Sequence, residues 1–93
     1  MSLKIKCEHM ELTDSIKSSV AGYIEEMMVI DPEFKHIHVD IIKEDIGYAV
    51  DLKVDTEEFN KVSAKAHNVN LDECMKEAFF HFAKVIEKKV AHQ

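Results

Sequence analysis

Hydrophobic and polar positions alternate at the start of the chain, where Leu3, Ile5 and Cys7 fall between Ser2, Lys4 and Lys6. A period of two predicts a half-buried strand. The period changes in ELTDSIKSSVAGYIEEMMV, where Ile16, Val20, Tyr23 or Ile24, and Met27 recur at helical spacing. One apolar stripe is therefore predicted on a helix, with Thr13 or Asp14 as its N-cap. Asp31-Pro32 is expected to end that helix, because proline disfavours helical backbone in the residue before it.

Alternation returns in HIHVDIIKE, with Ile37, Val39 and Ile41 on one face. The stretch EDIG reads as a turn, after which Tyr48, Val50, Leu52 and Val54 share a side. A second turn, TEEFN, leads into KVSAKAH, with Val62, Ala64 and Ala66 inward and Lys61, Ser63, Lys65 and His67 outward. Such small inward residues predict a strand lying under a closely approaching helix. That helix starts at Asn70-Leu71-Asp72-Glu73, which has the spacing of a capping box. Leu71, Cys74, Met75, Ala78, Phe79, Phe82 and Ile86 form its stripe, and Lys88 and Lys89 in its last turn complement the dipole.

The order β-α-β-β-β-α, with one apolar face per strand and one stripe per helix, predicts an α+β fold. Its economical form is a four-stranded mixed sheet with both helices packed on one face. The first two strands should be parallel neighbours joined by a right-handed crossover, and the others antiparallel hairpins. No repeat or linker interrupts residues 1–93, which read as a single domain.

Composition narrows the function. The chain is 46% apolar and 32% charged with 2 Gly and 1 Pro, which suits a compact domain. No apolar run is long enough to span a membrane, and MSLKIKC does not read as a signal peptide, so a cytoplasmic address is expected. Cys7 and Cys74 are expected to be reduced core thiols. Net charge is −6, from 18 acids and 12 lysines with no arginine, which argues against indiscriminate DNA or RNA binding. The balance is uneven: residues 1–79 hold 9 lysines and 17 acids, whereas residues 80–93 hold Lys84, Lys88 and Lys89 against Glu87.

Candidate chemistry is sparse. No glycine-rich phosphate loop or nucleophile elbow is present, so no enzyme is predicted and no cofactor is assigned. His36, His38 and His67 share the outer side of the predicted strands, but a metal site needs three or four converging ligands and none is assigned. Phe80 falls off the apolar stripe beside His81 and Lys84, where packing against the neighbouring helix competes with stacking on a base. His81, Lys84 and Lys88 follow at spacings of 3 and 4 and form one ridge, which Lys17 would join if the helices lie side by side. By itself such a ridge also fits a solvated helix end.

The ordered set of ELTDSIKSSVAGYIEEM, KHIHVDIIKE, VDLKV and KVSAKAHNVNLDECMKEAFFHFAKVIEKK resembles the ribosome hibernation-promoting factors. These are also described as ribosome-associated inhibitors or sigma-54 modulation proteins, and the resemblance is to their short form. It implies a non-enzymatic protein that binds the small ribosomal subunit, occupying messenger RNA and tRNA space over the decoding region in stress or stationary phase. It further implies that basic side chains of both helices meet phosphates of 16S rRNA. Carried over position by position, those side chains are Lys17, His81, Lys84, Lys88 and Lys89. The chain departs from the pattern at Tyr23 and Glu26, where basic residues are usual, and at Asp72, where an aromatic is common. An acidic sheet face turned away from RNA would reconcile the net charge with the resemblance. The chain stops after the second helix, so no ribosome-pairing domain is expected. The alternative is an acidic protein-interaction module on the same fold, perhaps a homodimer, that has lost ribosome binding.

Overall fold

The computed structural model describes residues 2–29 and 33–91. In chain order it contains β1 (Ser2–Glu8), α1 (Asp14–Met27), β2 (Phe34–Lys43), β3 (Tyr48–Thr56), β4 (Asn60–Asn68) and α2 (Leu71–Ala91). This is the predicted β-α-β-β-β-α order. The sheet runs β1-β2-β3-β4, so β1 and β4 are its edges. β1 pairs with β2 in parallel, Leu3 beside Ile37 and Ile5 beside Val39, as a helical connection between neighbours allows. The other two pairings are antiparallel.

β2, β3 and β4 bury residues of the predicted faces, which join one core with the stripes of both helices, while in β1 Ile5 and Cys7 are half-buried against that core and Leu3 is exposed. On α1 the stripe is Ile16, Val20, Ile24 and Met27. Tyr23 lies half-buried beside it, stacked on Phe79 of α2 with ring centroids 5.2 Å apart. α2 lies closest to β4, where Ala64 and Ala66 leave room for Cys74 and Ala78, both fully buried. Phe34 is a core residue that strict alternation does not find. A register shift between Phe34 and His36 turns Phe34 to the same side as Ile37, and its ring meets the edge of Phe82 at 5.6 Å.

The polar signals act locally. Thr13 caps α1, its Oγ1 accepting from Ile16 N–H at 3.2 Å. Asn70 Oδ1 accepts from Glu73 N–H at 3.0 Å, one half of the expected capping box. The other half is supplied differently: Asn70 N–H donates to Asn68 Oδ1 at 2.9 Å, while Asn68 Nδ2 donates to Glu77 at 2.8 Å. The expected stop at Asp31-Pro32 lies outside the described residues. α1 has closed by Met28, whose N–H donates to Ile24 O at 3.0 Å.

Two turns set the ends of the sheet. Buried Thr56 is satisfied by its own turn, its Oγ1 accepting from Phe59 N–H and donating to Asn60 O at 3.0 Å. At the other end Gly47 has φ +88°, and a Cβ there would lie 2.5 Å from the Asn68 carbonyl oxygen. A side chain is excluded by both conformation and space.

Two stability predictions follow from this packing. Phe82→Ala should lower the free energy of unfolding by about 3–5 kcal/mol, while Phe80→Ala on the surface should change it by under ~0.5 kcal/mol. Denaturant midpoints at constant slope measure both, and equal effects would contradict the core assignment. Gly47→Ala should cost roughly 1–3 kcal/mol from the strained backbone, and a thermal melt no lower than wild type would show that the turn accommodates a side chain.

Candidate nucleic-acid interface

The five basic positions singled out from the sequence do not form one patch. Tyr23 and Phe79 stack across the two helices and so mark the flanks that face each other. With 3.6 residues per turn, Lys17 lies about 120° around α1 from Tyr23, on the flank away from α2. His81, Lys84 and Lys88 lie about 140–200° around α2 from Phe79, on the flank away from α1. The pair of helices therefore separates Lys17 from the ridge. Lys89 leaves it too, reaching past the end of the sheet to sit 5.9 Å above the Phe59 ring in the β3–β4 turn.

The remaining ridge is exposed, and its first member, His81, reaches the β4 edge. His81 Nδ1 donates to the Lys65 carbonyl of β4 at 3.2 Å, which fixes the ring and leaves Nε2 to solvent. Lys84 folds over the Phe80 ring at 5.0 Å. The ion pairs found among the described residues are Lys6–Glu8, Lys35–Glu57, Lys61–Asp55 and His67–Glu44, and they leave out Lys17, Lys84 and Lys88. Preceding the ridge on the same side are Glu73 and Glu77, so α2 is acidic at its N-terminal end and basic at its C-terminal end, the order its dipole favours.

Between the helices lies an open groove of about 480 Å³, lined by Tyr23, Glu26, Met27, Lys76, Phe79, Phe80 and Ala83. Phe80 is 58% exposed at its rim. With Glu26 against Lys76, this groove is mixed in charge and unlike the ridge.

The strands as a set are not acidic, and on the open face Lys4, Lys6, Lys53, Lys61 and Lys65 stand against Glu8, Asp40, Asp51 and Asp55, close to balance. The four strands together hold seven lysines (4, 6, 35, 43, 53, 61, 65) and four acids (8, 40, 51, 55), a balance of +3. β4 contains Lys61 and Lys65 and no acid. The helices hold five lysines and seven acids, a balance of −2, and the connecting segments hold seven acids and no lysine. The negative charge thus lies in turns and on α1, and the expectation of an acidic sheet face is corrected. It arose from the total charge, which hides this sorting.

The histidines do not converge. His36 meets Ser2 Oγ through Nδ1, and His67 Nδ1 pairs with Glu44 Oε1 at 3.0 Å at the other end of the sheet. His67 stands opposite Ala49, itself opposite Ile42, four residues along β2 from His38. Among the described residues no three His, Cys, Asp or Glu side chains are placed to hold a metal ion. Cys74 is fully buried, its Sγ donating towards Ala66 O at 3.4 Å and Tyr48 O at 3.5 Å. Desolvation raises the pKa of both thiols, Cys7 and Cys74, above the ordinary value, which disfavours the reactive thiolate.

These features define a class of fold: a four-stranded α+β sheet with two helices packed on one face. Among solved structures, the fold is shared with a ribosomal subunit interface protein from Coxiella burnetii at a TM-score of 0.89 and 12% identity, covering 98% of this chain and 99% of that one. It is shared equally with the N-terminal domain of Protein Y from Thermus thermophilus, at a TM-score of 0.85 and 15% identity, covering 95% and 98%. No protein-family model matches the sequence, and no curated protein matches it. Among the described residues no helix is long and apolar enough to cross a membrane.

The thiols provide a check on this geometry. In the native protein a disulfide reagent at pH 8 should leave Cys74 unmodified over the time in which it modifies both thiols in denaturant. Mass spectrometry of the peptides reads this, and rapid native labelling of Cys74 would contradict its burial.

Proposed function

We propose that this protein is a ribosome-binding translation inhibitor of the cytoplasm. It occupies messenger RNA and tRNA space in the decoding channel of the small subunit during stress or stationary phase, without catalysing a reaction. The observation that carries the reading is the end-to-end likeness of fold to a ribosomal subunit interface protein, with almost the whole of each chain covered. The resemblance in sequence points the same way. In this reading Lys17, His81, Lys84, Lys88 and Lys89 are the candidate partners of 16S rRNA phosphates, and His81, Lys84 and Lys88 are the three that share a surface. Lysines neutralise phosphates without reading bases, so affinity should depend on shape and salt rather than sequence.

A second reading draws on the charge of α1, where Asp14, Glu25 and Glu26 outnumber Lys17. An acidic helix beside a half-apolar groove suits a protein-interaction module that has kept the fold and lost the ribosome. The unpaired sheet edges would give such a module a route to a homodimer.

Co-sedimentation with purified 30S and 70S ribosomes separates the two. Saturable binding is expected at low salt, weakening steeply towards physiological salt. Lys84→Glu/Lys88→Glu should weaken it at least about tenfold and lower the salt slope by about two, one for each lost phosphate contact. Absence of wild-type binding even at low salt would overturn the ribosome reading and favour the interaction module.

A further inference from the structure

The two edges of the sheet differ in what they leave open. β4 is closed off by its helix: α2 lies over it, and His81 Nδ1 donates to the Lys65 carbonyl at 3.2 Å. Its outer-face side chains are Lys61, Ser63, Lys65 and His67, so no antiparallel register of β4 with itself sets a lysine against a carboxylate. Like charges directly opposed destabilise a strand pair. β1 is the reverse case. Among the described residues only β2 pairs with it, so alternate residues direct N–H and C=O groups towards solvent. Its inner side is incompletely covered, with Leu3 40% exposed and Ile5 and Cys7 half-buried. Its outer side reads Ser2, Lys4, Lys6, Glu8, with both signs of charge on one short strand.

We propose that β1 is the seam of a homodimer. It pairs antiparallel with β1 of a second copy and joins two four-stranded sheets into one of eight strands. The residue pattern selects the register. A two-fold axis at Lys6 places Lys4 opposite Glu8 of the second copy and Ile5 opposite Cys7, each pair occurring twice by symmetry. Residues 4–8 are then paired. Each Glu8 keeps its own Lys6, 3.6 Å away, as a neighbour, which tempers the one like-charge contact, Lys6 with Lys6 on the axis. Moving the axis to Ile5 would lengthen the pairing but set Lys4 against Lys6 twice. Moving it to Cys7 would leave only residues 6–8 paired within the strand, since β1 ends at Glu8 and His9 follows with φ +62°. On the inner side, the two Ile5–Cys7 contacts cover apolar surface that the single copy leaves half-open, with Leu3 diagonal to Cys7 of the second copy. Such a seam is narrow beside stable interfaces, which bury roughly 1,200 Å² or more, so monomer and dimer should exchange in the micromolar to millimolar range. The proposal concerns the free protein and does not rest on ribosome binding.

Sedimentation velocity of the full chain across that concentration range, with hydrogen exchange at each end of it, tests the seam. Wild type should pass reversibly from monomer to dimer. Amides of residues 4–8 should exchange more slowly at high concentration, while those of β4 stay unchanged. Lys4→Glu and Glu8→Lys each oppose like charges at both symmetric positions, and each should weaken association at least about tenfold. The double variant Lys4→Glu/Glu8→Lys exchanges the partners and should restore association to within roughly threefold of wild type, which a general loss of packing would not do. Both side chains are exposed, and circular dichroism verifies that the variants are folded. A wild type that stays monomeric at millimolar concentration overturns the proposal and leaves the edge to an extended segment of another protein. So does a dimer that the single variants leave unchanged, that the exchange fails to restore, or whose protected amides lie in β4. Ribosomes play no part in these measurements, so the seam and the proposed function stand or fall separately.

Discussion

The close approach of α2 to β4 is the contact on which the other features depend. Ala64 and Ala66 project too little to hold the helix away, so Cys74 and Ala78 settle into the space and Phe82 reaches across to Phe34. The same approach brings His81 within hydrogen-bond distance of the Lys65 carbonyl. A larger side chain at either alanine would have to be accommodated by strain or by lifting the helix, and close-packed interiors make either costly. Packing in the core and the position of the charged edge are therefore a single constraint.

Charge is distributed with the same economy. Strands carry the lysine excess, connecting segments carry acids, and the helices are slightly negative. Turns and strand edges lie at the surface in any case, so acids in turns cost little and keep the protein from associating with itself. Lysines at sheet edges also discourage strand-to-strand aggregation, which gives Lys61 and Lys65 a role in the isolated protein as well as any role with a partner. A net charge of −6 is thus compatible with a cationic contact surface, because electrostatic recognition depends on the local field.

Much of the fold was legible from residue pattern. Alternation located the buried faces of β2, β3 and β4 and the half-buried side of β1, and Ile16, Val20, Ile24 and Met27 announced the inner face of α1. Phe34 was missed because the register shift beside His36 breaks the period on which that inference rests. The Asn70 cap was readable, whereas the substitution of Asn68 for the reciprocal arm of Glu73 depends on a bond between residues whose spacing carries no standard signal. The candidate interface was readable only in part. Spacing along α2 united His81, Lys84 and Lys88, but no spacing within one helix reveals which flank meets the other helix, and that alone separates Lys17. Lys89 entered through the resemblance and its place in the last turn, not through the ridge spacing, and it sits over Phe59. The contiguity of Lys65 with His81 joins residues from different elements and emerges only when α2 is seated on β4.

The one parallel pairing in the sheet has a consequence for assembly. Each antiparallel neighbour is joined through a short turn, and α2 returns immediately over β4, so β2, β3, β4 and α2 can gather through local contacts. β1 must instead find β2 across the whole of α1, with Leu3 brought beside Ile37. Closing that longer loop is entropically dearer, and the inner face of β1 offers only the half-buried Ile5 and Cys7 in return. The β1–β2 pairing thus combines a high closing cost with little burial, and local opening of the finished protein should begin at β1.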